Sequence, residues 1–156
     1  MNIAIEPLES DDPDTRLALL GYLSDNWKEP KEEIEREYIT PSFTSGPPYI
    51  LIAYTPERAV AGHIMLAIEK KGYLGIENQP WIYGLYVKEE FRSQGIARLL
   101  IGELEKLCRQ QGYPYLYLDT VASEGYYRRI GGWEELGTDV WGPRSERVTI
   151  MRKKVD

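Results

Sequence analysis

Residues 85–97 read Leu85-Tyr86-Val87-Lys88-Glu89-Glu90-Phe91-Arg92-Ser93-Gln94-Gly95-Ile96-Ala97: an apolar strand end, a short charged loop and the start of a helix. The strand expected at 81–87 is apolar on both faces, the pattern of a strand covered from both sides. The helix expected at 95–111 carries Ile96, Leu99, Leu100, Leu104, Leu107 and Cys108 on one stripe of 3.6-residue period. Arg98, Glu105 and Arg109 lie off that stripe, and Gly112 followed by Pro114 stops the helix. Cys108 is therefore expected to pack as a small apolar residue. The small residues Gly95 and Ala97 stand where the helix begins. Unpaired amides at a helix start, with no bulky side chain in front, form a receptor for phosphate oxygens. The helix dipole supplies only about 0.3–1 kcal/mol per charge. Amide hydrogen bonds, with Arg92 as a charged donor, must supply most of the grip. Neither G-x-x-x-x-G-K-[ST] nor G-x-G-x-x-G occurs in the chain, which excludes the two better-known phosphate loops. The plainer reading of the same residues is an ordinary helix start in which Gly95 eases a turn.

Working outward, residues 3–8 alternate and read as a first strand. Asp11-Asp12-Pro13-Asp14 supplies caps and a first-turn proline for a helix through Trp27, with Leu17, Leu20, Tyr22 and Leu23 as its apolar side. Pro30 precedes a charged helical segment at 31–39, and residues 40–48, with three prolines and a glycine, read as a loop. Strands at 49–54 and 60–70, joined across Thr55-Pro56-Glu57-Arg58, form an expected hairpin. His63, Met65 and Ala67 share one face of its second strand. Past the long helix come a strand at 115–121, a short helix at 123–130, and strands at 133–140 and 147–155 separated by Trp141-Gly142-Pro143-Arg144. The order β-α-α-β-β-β-α-β-α-β-β predicts an α/β fold, a mixed sheet with helices on its faces, within one domain spanning 1–156.

The chain has 156 residues and a formal net charge of −6, a size that builds one core. No apolar run approaches the ~20 residues of a membrane span. Residues 1–10 lack the basic start and apolar stretch of a signal peptide, so a cytoplasmic protein without membrane partners is expected. One cysteine and one histidine exclude a disulfide framework and metal centres rich in thiolate or imidazole, and no metal is expected. A Ser-His-Asp triad is possible only through His63. The acidic balance argues against non-specific nucleic-acid binding. Twelve tyrosines and four tryptophans against two phenylalanines suit a lined cleft as well as a core.

Arg92-Ser93-Gln94-Gly95-Ile96-Ala97, after the apolar Leu85 and Val87 and before the amphipathic helix, resembles the Q/R-x-x-G-x-G/A segment of the GNAT superfamily of acyl-CoA-dependent N-acyltransferases. Gly125-Tyr126-Tyr127-Arg128-Arg129-Ile130-Gly131-Gly132-Trp133 is similar to that family's later aromatic-Tyr-x-x-Leu-Gly-aromatic segment. The helix and strand between the two segments, and the element order over nearly the whole chain, agree with it. The resemblance implies that the amides of Gln94, Gly95, Ile96 and Ala97, with Arg92 and Ser93, cradle the pyrophosphate of acetyl-CoA. Leu85, Tyr86 and Val87 would pair with the pantetheine arm, and an amide there would polarise the thioester carbonyl. Tyr127 would be the general acid that protonates the departing thiolate. Where the family often has Asn, seven residues before this tyrosine, the chain has Thr120, which can donate a hydrogen bond to the cofactor. The extra glycine before Trp133 leaves Tyr126 as a second candidate acid.

The implied reaction, direct attack of a primary amine of a small molecule or peptide on acetyl-CoA, suits a tyrosine of pKa near 10, which stays protonated at neutral pH. The amine, with a pKa near 10.4, is neutral in only about one molecule per thousand at pH 7, so a base is useful. Asp119, at the end of a strand eight positions before Tyr127, and Glu77, just before the strand at 81–87, are the candidates, with a water relay as the alternative. Glu124 is expected to complement the start of the helix bearing Tyr127. His63 reads as a structural histidine within a strand. Trp27, Tyr38, Trp81, Trp133 and Trp141 read equally as core or as acceptor lining. A CoA-binding sensor without transfer activity is the other functional reading. Acceptor, acyl preference and a homodimer through the last strands stay open.

Overall fold

Asp12 opens the first helix by the expected chemistry. Its carboxylate accepts from the Thr15 amide at 3.2 Å and from the Thr15 hydroxyl at 2.7 Å, and Pro13 occupies the first turn. In the computed structural model, which describes residues 2–44, 46–142 and 145–156, the strands are β1 (Ala4–Pro7), β2 (Tyr49–Tyr54), β3 (Val60–Glu69), β4 (Gln79–Val87), β5 (Tyr115–Thr120), β6 (Trp133–Trp141) and β7 (Glu146–Lys154). The helices are α1 (Pro13–Trp27), α2 (running through Lys31–Ile34, Glu35–Ile39 and Thr40–Ser42), α3 (Ile96–Gln110) and α4 (Glu124–Ile130). Ser45 of the expected 40–48 loop, and Pro143 and Arg144 of the expected 141–144 turn, lie outside the described residues, as does Met1.

The strands order β1-β2-β3-β4-β5-β7-β6 in one mixed sheet. β4 pairs parallel to β5, with Trp81 opposite Tyr117, while β1–β2, β2–β3, β5–β7 and β6–β7 are antiparallel. The strand that reads as apolar on both faces is the fourth of seven, at the centre of the order.

The chain divides into two compact units, Met1–Leu66 with Gly84–Ile101, and Ala67–Tyr83 with Gly102–Asp156. In the first, Leu19, Leu20 and Leu23 of α1 and Ile34 and Ile39 of α2 are buried, each side chain contributing about 1.5–3 kcal/mol by leaving water. The expected loop at 40–48 begins late, because α2 continues to Ser42. Proline inside a helix clashes with the carbonyl four residues back and lacks a donor. Glu35–Ile39 winds as a π turn, with the Thr40 amide donating to the carbonyl of Glu35, five residues back. The widened turn falls immediately before Pro41, where the strict α spacing is untenable.

In the second unit, β6 and β7 form the terminal hairpin, with a bulge between Glu135 and Gly137. Gly131 and Gly132 both have φ of +85°. Gly131 ends α4, its amide donating to the Tyr127 carbonyl, and a Cβ on Gly132 would stand 2.8 Å from Cε of Lys153. The extra glycine is thus a second left-handed step that delivers the chain to Trp133.

Along α3 the buried row is Ile96, Leu100, Leu104 and Cys108, with Ile101 beside it. Leu99, expected on the stripe, is 49% exposed. It precedes Leu100 by about 100° around the axis, which turns it off a row built on strict four-residue spacing. Cys108 is buried as expected, and burial pushes its thiol up to about 12.

Candidate functional site

In the first unit, β4 is broken by Gly84, which takes φ of +61° inside the strand. A left-handed residue turns its peptide plane out of the strand's alternation, and this conformation favours glycine. The Gly84 carbonyl accepts from Nδ1 of His63 at 2.7 Å. His63 is buried, with Tyr22 edge-on at 5.0 Å and Tyr86 at 5.5 Å, and Tyr22 stacks on Tyr86 at 4.5 Å. Burial lowers its pKa to about 4, so the imidazole is neutral at pH 7. The structural reading of this histidine holds, with a specific partner: the backbone carbonyl at the break in β4.

Beyond that break lie Leu85, Tyr86 and Val87, all half-buried, and then a loop whose shape is set by backbone rather than by packing. The amides of Phe91 and Arg92 close a 3₁₀ turn on the carbonyls of Lys88 and Glu89. Ser93 (φ +63°) and Gly95 (φ +79°) are left-handed. Alternation of left-handed residues aims successive N–H groups toward one concavity, an anion-binding shape. The first closed turn of α3 is the Leu99 amide on the Gly95 carbonyl. The amides of Ile96, Ala97 and Arg98 precede it, in the turn that has no intrahelical acceptors. A Cβ on Gly95 would meet nothing within 4 Å, so the glycine serves the left-handed turn rather than a close approach. Arg92 is exposed; its Nε donates to the Val87 carbonyl at 2.8 Å, and its guanidinium stands 5.8 Å from the Tyr86 ring. Ser93, Gln94 and Gly95 are exposed, Ile96 is buried and Ala97 half-buried.

The other expected residues lie in the second unit. Asp119 is half-buried at the end of β5, opposite Ile150 of β7. Burial raises its carboxyl to about 6, against the lowering effect of its own amide. Thr120 Oγ1 accepts from the Ser123 amide at 3.0 Å, so this hydroxyl shapes the entry to α4 and keeps its proton to donate elsewhere. Glu124 accepts from the Thr149 hydroxyl at 2.8 Å and sits in the first turn of α4. Tyr127 is 8% exposed, its ring edge-on to Tyr126 at 5.3 Å and to Trp133 at 5.5 Å. Tyr126 is half-buried. Glu77 is exposed in the loop ahead of β4.

Of the aromatic residues with two readings, Trp81 and Trp133 are core, and Trp141 is 37% exposed. Trp27 and Tyr38 meet edge-on at 5.2 Å, both half-buried in the first unit, with Tyr38 inside the π turn. Near them in sequence, Glu29 is held above the usual carboxylate range by burial and then by Glu37 and Glu33, while Arg36 lies 4.0 Å from Glu37. The sequence marks 31–39 as charged and helical without giving it a role, and the His63–Gly84 bond does not emerge from it at all. A glycine within the apolar run 81–87 was the available signal for a break in β4. Among the described residues, no group of three or more His, Cys, Asp or Glu side chains is placed to hold a metal ion. Among the same residues, no helix is long and apolar enough to cross a membrane.

Residues 15–132 match the model of the acetyltransferase (GNAT) family. No curated protein matches the sequence. Solved structures share the fold at low identity. The aminoglycoside 6'-N-acetyltransferase from Enterococcus faecium is 17% identical, with a TM-score of 0.72 over 98% of this chain and 97% of that one. A GNAT family acetyltransferase from Elizabethkingia anophelis with acetyl-CoA bound is 19% identical, with a TM-score of 0.68 over 98% of each chain. An acetyltransferase of the GNAT family from Staphylococcus aureus Mu50 is 17% identical, with a TM-score of 0.69 over 99% of this chain and all of that one.

Proposed function

The chain belongs to the GNAT family of acetyltransferases, and from that premise we propose that it transfers the acetyl group of acetyl-CoA to a primary amine of a small molecule. The observation that carries the reading is the loop from Arg92 to Ala97. Two left-handed residues lead into a helix start whose first amides have no intrahelical acceptor, and Arg92, exposed in the same loop, is held by the Val87 carbonyl. This receptor suits a pyrophosphate and needs no metal.

In the proposed reaction the amine nitrogen bonds to the acetyl carbon, the carbon–sulfur bond breaks, and the electron pair leaves on sulfur. An amide among Leu85, Tyr86 and Val87 stabilises the charge that builds on the carbonyl oxygen. Tyr127, with Tyr126 as the alternative, gives its hydroxyl proton to the sulfur. Asp119 takes the proton that the ammonium must lose, directly or through water. With a carboxyl pKa near 6 it is ionised at pH 7 and more basic than an ordinary aspartate. Glu77, exposed in the loop ahead of β4, is the weaker candidate for that step.

A cationic acceptor is supported by two kinds of group in the first unit: the aromatic pair Trp27–Tyr38 and the acidic segment Glu29, Glu33 and Glu37. The resemblance to an aminoglycoside acetyltransferase points the same way. The test is calorimetry with CoA and acetyl-CoA, followed by thiol release from acetyl-CoA across a panel of primary amines that includes aminoglycosides. Binding with transfer to a member of the panel supports the proposal. Binding with no transfer to any amine favours a sensor, and no binding of either CoA form overturns the reading.

A further inference from the structure

We propose that His63 is a positioning residue for acetyl transfer: its Nδ1–H anchors the carbonyl of Gly84 and thereby fixes and polarises the Gly84–Leu85 peptide, whose N–H serves as the donor to the thioester carbonyl. The inference rests on the acetyl-CoA reading above and assigns within it which amide acts and what holds it.

A carbonyl oxygen only accepts, so at 2.7 Å from Gly84 the Nδ1 of His63 must carry the proton. The imidazole is neutral, so the other nitrogen, Nε2, is unprotonated, and the tautomer is set by this one bond. Gly84, at φ +61°, is the single left-handed residue of β4. Its carbonyl meets a side chain of β3, which places that oxygen on the face bearing the rings of His63, Tyr86 and Tyr22. A trans peptide carries its N–H opposite its C=O, so the Leu85 amide is directed away from this ring cluster. A peptide whose carbonyl accepts a hydrogen bond is also a stronger donor at its N–H.

The anchor is itself held. His63 is 6% exposed, and the stacked rings of Tyr22 from α1 and Tyr86 pack against it together. Leu23, fully buried, stands under Gly84, where a Cβ would approach its Cδ2 to 2.9 Å. A neutral imidazole that is buried and has its donor committed to backbone is a poor general base. It is well built to hold a peptide plane.

The chain has a single histidine, so its imidazole nitrogen spectrum reports this residue alone. In the wild-type protein, ¹⁵N-resolved NMR is expected to show the neutral Nδ1–H tautomer unchanged from about pH 5.5 to 8. Acetyl-CoA is expected to move the Nδ1–H signal further than CoA, which lacks the acetyl carbonyl. An Nε2–H tautomer, or equal displacement by the two ligands, overturns the proposal without any variant. With [1-¹³C]acetyl-CoA, the carbonyl resonance moves downfield on binding to wild type. His63→Phe keeps the ring but has no donor. It should lose more than half of that displacement and about tenfold in kcat, with its Kd for CoA and KM for acetyl-CoA within twofold. His63→Gln, whose amide N–H can reach the same carbonyl, should recover most of both. Equal carbonyl displacement in wild type and His63→Phe refutes the role of His63 alone. Failure of wild type to bind either CoA form removes the acetyl-CoA reading and this inference with it.

Discussion

Replacing Asp119 by Asn separates a base from a merely buried carboxylate, because the two roles move stability and rate in opposite directions. Asp119 titrates near 6 in the folded protein against 3.8 for the unfolded side chain, with burial as the cause. A folded pKa above the unfolded value means that the native state holds the proton more tightly. Its favourable contribution is complete below the unfolded value and is lost as pH rises from about 4 through about 6. A shift of about two pH units, at about 1.4 kcal/mol each, makes ionised Asp119 cost the native state roughly 3 kcal/mol above pH 6. Asn has the same shape and no charge to desolvate, so Asp119→Asn should be more stable than wild type at pH 8. For a chain of this length, ~2–4 °C per kcal/mol predicts a melting temperature about 6–12 °C higher. The gap should close by about pH 4, where both side chains are neutral. Calorimetric melting of the two proteins from pH 4 to pH 8 measures it. In parallel, loss of a general base lowers turnover by about 10² or more and removes the acid limb near pH 6 from kcat/KM. Melting curves that stay parallel across this range refute the burial argument. A more stable variant with undiminished turnover leaves Asp119 a desolvated carboxylate without a part in catalysis.

Gly95→Ala should lose about 1–2 kcal/mol from the left-handed backbone alone, since its Cβ meets nothing within 4 Å. Its CoA affinity, read by calorimetry, should fall about tenfold as the amides turn away. Asp12→Ala removes the α1 cap and should lower stability by about 1–2 kcal/mol in chemical denaturation. Because its bonds to Thr15 hold the Asp12 carboxyl below its ordinary value, that contribution is complete above about pH 4 and is lost as pH falls through the folded pKa. Cys108, fully buried with its thiol pushed up to about 12, should react with a thiol reagent at pH 7.5 no faster than the protein unfolds. Tyr127→Phe keeps the ring between Tyr126 and Trp133 and should lower turnover about 10²-fold or more while Tyr126→Phe stays within a few-fold. The reverse order of the two variants assigns the acid to Tyr126.

The parts of this protein that could be read from its residues are those specified within a few positions. The Asp12–Pro13 cap and the apolar side of α3, Leu99 apart, are local devices, and each is present where the pattern puts it. The loop at 92–97 belongs with them, because its shape comes from backbone angles at Ser93 and Gly95 rather than from distant packing. The π turn of α2 was hidden for the opposite reason. Pro41 signals an interruption, and only the burial of Ile34 just before the turn and Ile39 at its end makes continuing the helix the better solution. His63 and Gly84 stand 21 residues apart, and no local rule connects a histidine to the carbonyl of a glycine in another strand. Leu99 shows the limit within a helix: periodicity marks an apolar side but not its centre, and one step of about 100° moves a leucine into solvent.

The net charge of −6 and an anionic co-substrate belong to one argument. A protein of this sign repels a pyrophosphate at long range, yet beyond the ~8 Å screening length of physiological salt that repulsion largely fades. In the proposed site, what decides binding is therefore the few ångströms around the loop, where Lys88, Arg92 and Arg98 stand against Glu89 and Glu90 and the amides carry no net charge. As proposed, amides and a helix start would attract phosphate through partial charges fixed in place by φ at Ser93 and Gly95, and these do not depend on the surface balance elsewhere. The acidic surface is then free to favour the other proposed substrate, a cation. The same economy accounts for the lone histidine. If a backbone N–H polarises the thioester, the imidazole is not needed as base or ligand, and its one donor can be committed to holding the Gly84 peptide in place.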